Sequence, residues 1–319
     1  MRCHFYIWNF GDYCGGRTRL VLQDEVLLMI SFLCDGINVP WFFNRILRKM
    51  DPKDVGVIYI PTFDYQNELG IHFSPGFVSL VNELARKKFR PSRVVLRMLS
   101  RLGMITEDMR DFDIVIDLLI TLWMARGKSV VDIFDIISKR LGSKHCIIPL
   151  VEPLTTTIVK CDKEAVKPMN MHDIETEIKE IEFIPKDVEM CGIAREIIDT
   201  SDKLVLVCIS PLSFLYIKRM GKLGDIFKKF KGQIIYVLPN KLSSIDHSIL
   251  RFLDSDPSLL GLIGMLNDSV DTIVFSEDKT EILEKMHELK FMCYPLKLES
   301  EDPNEKRRII NQILKLLQT

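Results

Sequence analysis

The sequence lacks most of the features that settle a function at sight. It carries eight cysteines in 319 residues, yet no CxxC pair, and no cluster of His and Cys has the spacing of a zinc site. Buried, reduced thiols of a cytosolic protein are therefore expected. The net charge of −1 gives no long-range field that would draw the chain to nucleic acid or to an anionic membrane. No apolar run is long enough to cross a bilayer: the longest, 114–124, is interrupted by Asp117 and reads as a buried helix. The start has no basic region followed by an apolar core and a cleavage site, so a cytoplasmic location is expected rather than secretion. Internal repeats, low-complexity tracts and Gly/Ser linkers are absent.

What is present is an alternation of short apolar runs with helical periodicity, the pattern of an α/β protein. Hydrophobic residues make up 47% and charged residues 27%, enough for a sizeable core. The organising stretch is 27–48. It reads as a strand (27–33), a loop broken by Asp35-Gly36 and shaped by Asn38 and Pro40, and a helix carrying Trp41, Phe42, Ile46 and Leu47. Such a loop is either a phosphate cradle on a helix N-terminus or the ordinary first crossover of a doubly wound sheet; it has a single glycine.

A second strand, 56–61, runs into a polar loop, 62–76. Ligands of open α/β sheets bind at that edge. Asp64 is there as a metal or ligand carboxylate, or as a turn-forming or capping Asp. His72, between Ile71 and Phe73, reads as a structural histidine. The basic run 86–90 is a solvated loop or a phosphate contact. Asp111 and Asp113 precede a helix to about 125 and suit its N-terminal dipole. Further helices are read at 77–84, 93–102 and 129–141, and strands at 146–151, 155–159 and 178–183. A helix at 193–198 then leads to a strand, 203–209, that ends in Ser210-Pro211-Leu212-Ser213 before a helix over 215–229. The next strand, 233–238, ends in Pro239-Asn240-Lys241. Three strands thus end in polar loops that share one edge if the strands are parallel. Helices at 248–253, 257–267 and 279–289, strands at 272–275 and 293–298, and a helix opened by Asp302-Pro303 complete the chain.

The ordering resembles the 2-phospho-L-lactate transferase (CofD) family over about 29–318. Gly70-Ile71-His72-Phe73-Ser74-Pro75 stands where that family has GLHISP, and Thr62 and Asp64 fit its NTADD element. Met109-Arg110-Asp111-Phe112-Asp113 matches LGDRD, Gly127-Lys128-Ser129 a helix start, Pro149 to Thr156 the PMSDDPVST segment, and Ile209-Ser210-Pro211 the strand ending in PSNP. The resemblance implies a Rossmann-like, mostly parallel sheet with helices on both faces and added helices. It makes 29–319 one domain and 1–28 an extension. It implies magnesium on Asp64, and substrate or nucleotide contacts at Gly36, Asn38, Ser210, Asn240, Asp111 and Asp113. The implied activity is transfer of a phospholactyl group from a guanylylated donor to a deazaflavin precursor, a step of coenzyme F-420 biosynthesis. The implied partners are a guanine nucleotide or guanylylated small molecule and a deazaflavin, with room for a homodimer.

The departures concern chemistry more than scaffold. One glycine of three survives in the Cys34–Trp41 loop, and the family lysine is Trp41. The NTADD asparagine is Pro61 and its second acid is Tyr65. Two family acids become Gly76 and Val78, the basic residue of LGDRD is Phe112, and a downstream histidine is Asp117. Two readings follow: a working magnesium-dependent transferase, or a non-catalytic or repurposed nucleotide-binding or regulatory paralogue that keeps the fold. A nucleic-acid binder is disfavoured, because the basic run at 86–93 has no interleaved aromatics beyond Phe89.

Overall fold

The computed structural model describes residues 28–67, 70–85, 97, 111–161, 165–166, 177–266, 270–285, 288 and 291–319. The extension read at 1–28 lies, apart from its last residue, outside them, as do the basic run 86–90 and all but one residue of the helix read at 93–102. Seven strands form the central sheet: β1 (Ile30–Cys34), β2 (Val55–Tyr59), β3 (Ile147–Pro149), β4 (Lys203–Val207), β5 (Gln233–Val237), β6 (Thr272–Ser276) and β7 (Met292–Leu296). Their order is β7-β6-β5-β4-β1-β2-β3, and every pairing is parallel. The protein therefore has the α/β, Rossmann-like architecture expected of its sequence.

Parallel strands covered on both faces must be apolar on both faces, and these are. Phe32, Val57, Val205 and Ile235 enter one hydrophobic cluster; Leu33, Ile58, Leu206 and Tyr236 enter the other. Helices α1 (Phe43–Leu47), α2 (Pro75–Leu84), α3 (Asp111–Ala125) and α4 (Val130–Arg140) pack on the first face with the C-terminal helix Pro303–Gln318. Helices α5 (Gly192–Asp199) and α6 (Pro211–Arg219) pack on the second. No helix among the described residues is long and apolar enough to cross a membrane.

Several boundaries differ from those expected, and three of them have a clear cause or consequence. The run read as one strand at 146–151 divides: β3 ends at Pro149, and Val151–Glu152 pairs antiparallel with Glu189–Met190 outside the main sheet. The strand read to 209 ends at Val207, because Cys208 takes a positive φ of 48° and turns the chain. The helix read over 215–229 starts earlier and breaks. Ser210 caps α6 with its side chain and Pro211 opens the first turn, whereas Met220 leaves helical geometry and a 3-10 turn, Gly221–Asp225, leads into Ile226–Lys229. Proline suits the first turn of a helix and glycine weakens an interior, which is why the element shifts toward its N-terminal side.

Candidate functional site

The strand order reverses between β1 and β4, so the crevice beyond their C-terminal ends is where an open α/β sheet ordinarily takes a ligand. Asp35, the first residue after β1, is 1% exposed and lies in that crevice. Its Oδ2 accepts the Ser210 backbone amide (3.0 Å) and the Ser213 hydroxyl (2.9 Å). Its Oδ1 accepts the Ile37 amide (3.2 Å). Thr62 Oγ1, from the loop after β2, stands 2.9 Å from Ser213 Oγ and ties a third strand end into the cluster. Burial pushes the Asp35 carboxyl upward, while the bonds from Ser210, Ser213 and Ile37 hold it down. Amides at a helix N-terminus are what a phosphate would use. Here the carboxylate of Asp35 holds one of them, the Ser210 amide at the start of α6.

The surviving glycine has a packing role. Gly36 has φ +77°, and a Cβ on it would lie 2.0 Å from the Gly76 carbonyl oxygen; a Cβ on Gly76 would lie 2.0 Å from the Asp35 carbonyl oxygen. The loop and the start of α2 approach backbone to backbone, so both positions require glycine.

Next to this crevice Asp64 is fully buried. Tyr59 donates its hydroxyl to Asp64 Oδ1, Ser74 donates to Oδ2 (2.9 Å), and His72 Nε2 lies 3.2 Å from Oδ2. Its carbonyl accepts the Thr157 amide (2.8 Å). Ser74 also donates its backbone N–H to Asp117 Oδ1 of α3 (3.0 Å), and Asp117 Oδ2 is buried without a hydrogen-bond partner among the described residues. Burial raises the Asp117 carboxyl well above its ordinary range, with the charges of Asp64 and Asp113 adding to the effect. Tyr59 is also raised well above its ordinary value, by burial and by Asp64.

Of the residues expected at a site, Gly36 and Ser210 meet around Asp35. Asn38 is exposed on the same loop. Asp111 and Asp113 sit in the first turn of α3, with Asp113 near enough to act on Asp117. Asn240, past β5, donates to Glu299 beyond β7. The residue expected to hold magnesium, Asp64, uses both carboxylate oxygens on Tyr59, Ser74 and His72, so the donor set does not fit a cation there. No group of three or more His, Cys, Asp or Glu suited to a metal gathers among the described residues. Three functional-looking residues escaped the sequence reading: Asp35, taken as a strand breaker, Ser213 and Tyr59. The Ser210/Ser213 spacing of a helix cap and an acid directly after an apolar strand were the available signals.

No protein-family model matches the sequence, and no curated protein is significantly similar to it. Solved structures are. A crystal structure of a UPF0052-family protein from Bacillus halodurans has a TM-score of 0.58 at 14% identity, covering 90% of this chain and 99% of that one. A second crystal structure of the same Bacillus halodurans protein gives a TM-score of 0.56 at 13% identity, with the same coverage. At such identity the likeness is one of fold.

Proposed function

We propose that this chain is a divergent CofD-like protein that keeps the transferase fold but does not transfer phospholactate, and that it acts as a non-catalytic, regulatory paralogue. The fold likeness to a UPF0052 protein, a family equated with CofD, supports the kinship. The observation that carries the rest is Asp35. Its carboxylate takes the Ser210 amide at the start of α6 and the Ile37 amide of the adjoining loop, so a phosphate in this crevice would lose the helix N-terminal donor and meet a negative charge. Each polar contact a phosphate fails to make costs it about 1–3 kcal/mol. The altered loop, with Asp35 and Asn38 in place of two glycines, Trp41 in place of a lysine, and Ile37 and Val39 obstructing the approach, acts in the same direction.

The second reading, a magnesium-dependent transfer to a deazaflavin hydroxyl, rests on Asp64 and Ser210 lying at the same sheet edge. It requires Asp64 to exchange Tyr59 and Ser74 for a cation. A thermal shift of the full chain separates the two. Magnesium with GDP or GTP, and separately a deazaflavin precursor, should leave the midpoint unchanged. A ligand at about 100 times its dissociation constant adds roughly 2.7 kcal/mol, which is several degrees for a domain of this size. Shifts with both ligands would restore the transferase; a shift with nucleotide alone would make the chain a nucleotide-binding paralogue.

A further inference from the structure

β7 bounds one side of the main sheet. It pairs with β6 on its inner edge and with no strand on its outer edge among the described residues. The inner strands of the sheet are buried almost throughout, yet on β7 Met292 is 60% and Tyr294 45% exposed. Side chains alternate along a strand, so these two stand on the same face, two residues apart.

The backbone shows which polar groups of β7 are open. Met292 donates its N–H to the Asp271 carbonyl, and the Leu296 carbonyl accepts the Glu277 N–H, both at 2.9 Å. Strand residues turn their amide groups alternately to one neighbour and to the other. Met292, Tyr294 and Leu296 therefore face β6, while Phe291, Cys293 and Pro295 face outward. Proline thus stands where the chain's own ladder needs no donor, its usual place in an edge strand.

Such an edge is complementary to itself. If two copies pair antiparallel about Cys293, that residue exchanges both backbone hydrogen bonds with the partner's Cys293. The Phe291 N–H then meets the partner's Pro295 carbonyl, and the one donor missing from each half of the ladder is the proline's. The same register sets Met292 directly opposite the partner's Tyr294. This is a non-hydrogen-bonded pair, in which opposed Cα atoms lie about 4.5 Å apart. A thioether against an aromatic ring is a favourable contact, and the two-fold axis makes it twice. Charged residues commonly blunt an open edge, and β7 has none. Pro295 blunts it off the axis and leaves the central pair intact. We propose that β7 is the interface of a symmetric homodimer, in which the sheets of two copies join edge to edge across Cys293.

The test is sedimentation velocity of the full chain over about 1–100 µM. A monomer–dimer equilibrium is expected, weak because a strand edge buries less than a standard interface. Tyr294→Lys, at an exposed position, and Cys293→Pro, whose lost N–H faces away from β6, should each raise the dissociation constant at least about tenfold. Circular dichroism checks that both variants fold. A measurement on the parent needs no disruptive variant: a short bismaleimide should join two copies through a Cys293–Cys293 peptide, identified by mass spectrometry. Cys293→Ser should lose that link and still dimerise. The proposal is overturned by a monomer across the whole range. It is equally overturned by a dimer that both folded variants leave unchanged, or by cross-linked peptides without Cys293, which would put the interface elsewhere.

Discussion

Asp64 and Asp117, neither exposed to solvent, are joined through one residue: Ser74 gives its hydroxyl to Asp64 (2.9 Å) and its backbone amide to Asp117 (3.0 Å). Burial raises the Asp117 carboxyl well above its ordinary range, the charge of Asp64 adds to the effect, and its Oδ2 has no hydrogen-bond partner among the described residues.

This fixes the sign of a pH effect. Asp117 has a folded-state pKa raised above the unfolded one, so the folded state holds the proton more tightly. Its penalty is absent below the ordinary carboxylate range and grows as pH rises from there toward the raised value. Asp117→Asn removes the titration while keeping an acceptor for Ser74. Urea unfolding at several pH values should show the variant gaining on the parent as pH rises, by on the order of 1 kcal/mol or more near pH 8. Parallel pH curves for the two proteins would contradict this.

Asp35→Gly removes the carboxylate that holds the α6 amide. The parent should not respond to inorganic phosphate at this site, whereas the variant, destabilised by about 2–4 kcal/mol, should recover part of that loss in phosphate or sulfate. Melting temperatures measured across a phosphate series in both proteins check it.

Gly36→Ala places a methyl 2.0 Å from the Gly76 carbonyl at a positive φ, and should cost about 3 kcal/mol or more. Gly70 has the same φ of +77° but its nearest neighbour is 3.7 Å away, so Gly70→Ala should cost about 1–2 kcal/mol. Denaturant midpoints of the two variants give the comparison.

Tyr59, Tyr216 and Tyr236 are all pushed upward by burial. Ultraviolet titration of the native protein to about pH 11 should leave at least these three of the seven tyrosines un-ionised. Tyr59→Phe strips Asp64 Oδ1 of its donor and should cost about 1–3 kcal/mol, seen as an earlier urea transition.

The strands were legible because burial on both faces leaves runs such as Val55–Tyr59 and Lys203–Val207 with almost no polar interruption. The open edge was legible because three of those runs stop at polar turns. What local pattern does not carry is where a loop side chain goes. Asp35 reads as a strand breaker from its neighbours; its partners lie 175 and 178 residues away. Asp64 has the position of a metal ligand, and whether its oxygens are free depends on Tyr59, His72 and Ser74 folding onto it. The helix expected at 215–229 failed for a local reason, the two glycines of Gly221–Asp225, that apolar periodicity hid.

The sheet order also bears on how the chain is assembled during synthesis. β1 is made first yet lies in the middle, with Ile30 paired to Lys203. While β2 and β3 join one side, the other edge of β1 stays open until β4 leaves the ribosome. An unpaired apolar edge is a site of intermolecular strand addition, and pairings of such long sequence separation form slowly. The Asp35–Ser210 contact can close no earlier than that last docking. A nascent chain stopped before residue 203 would expose β1 to chaperones and to its own copies.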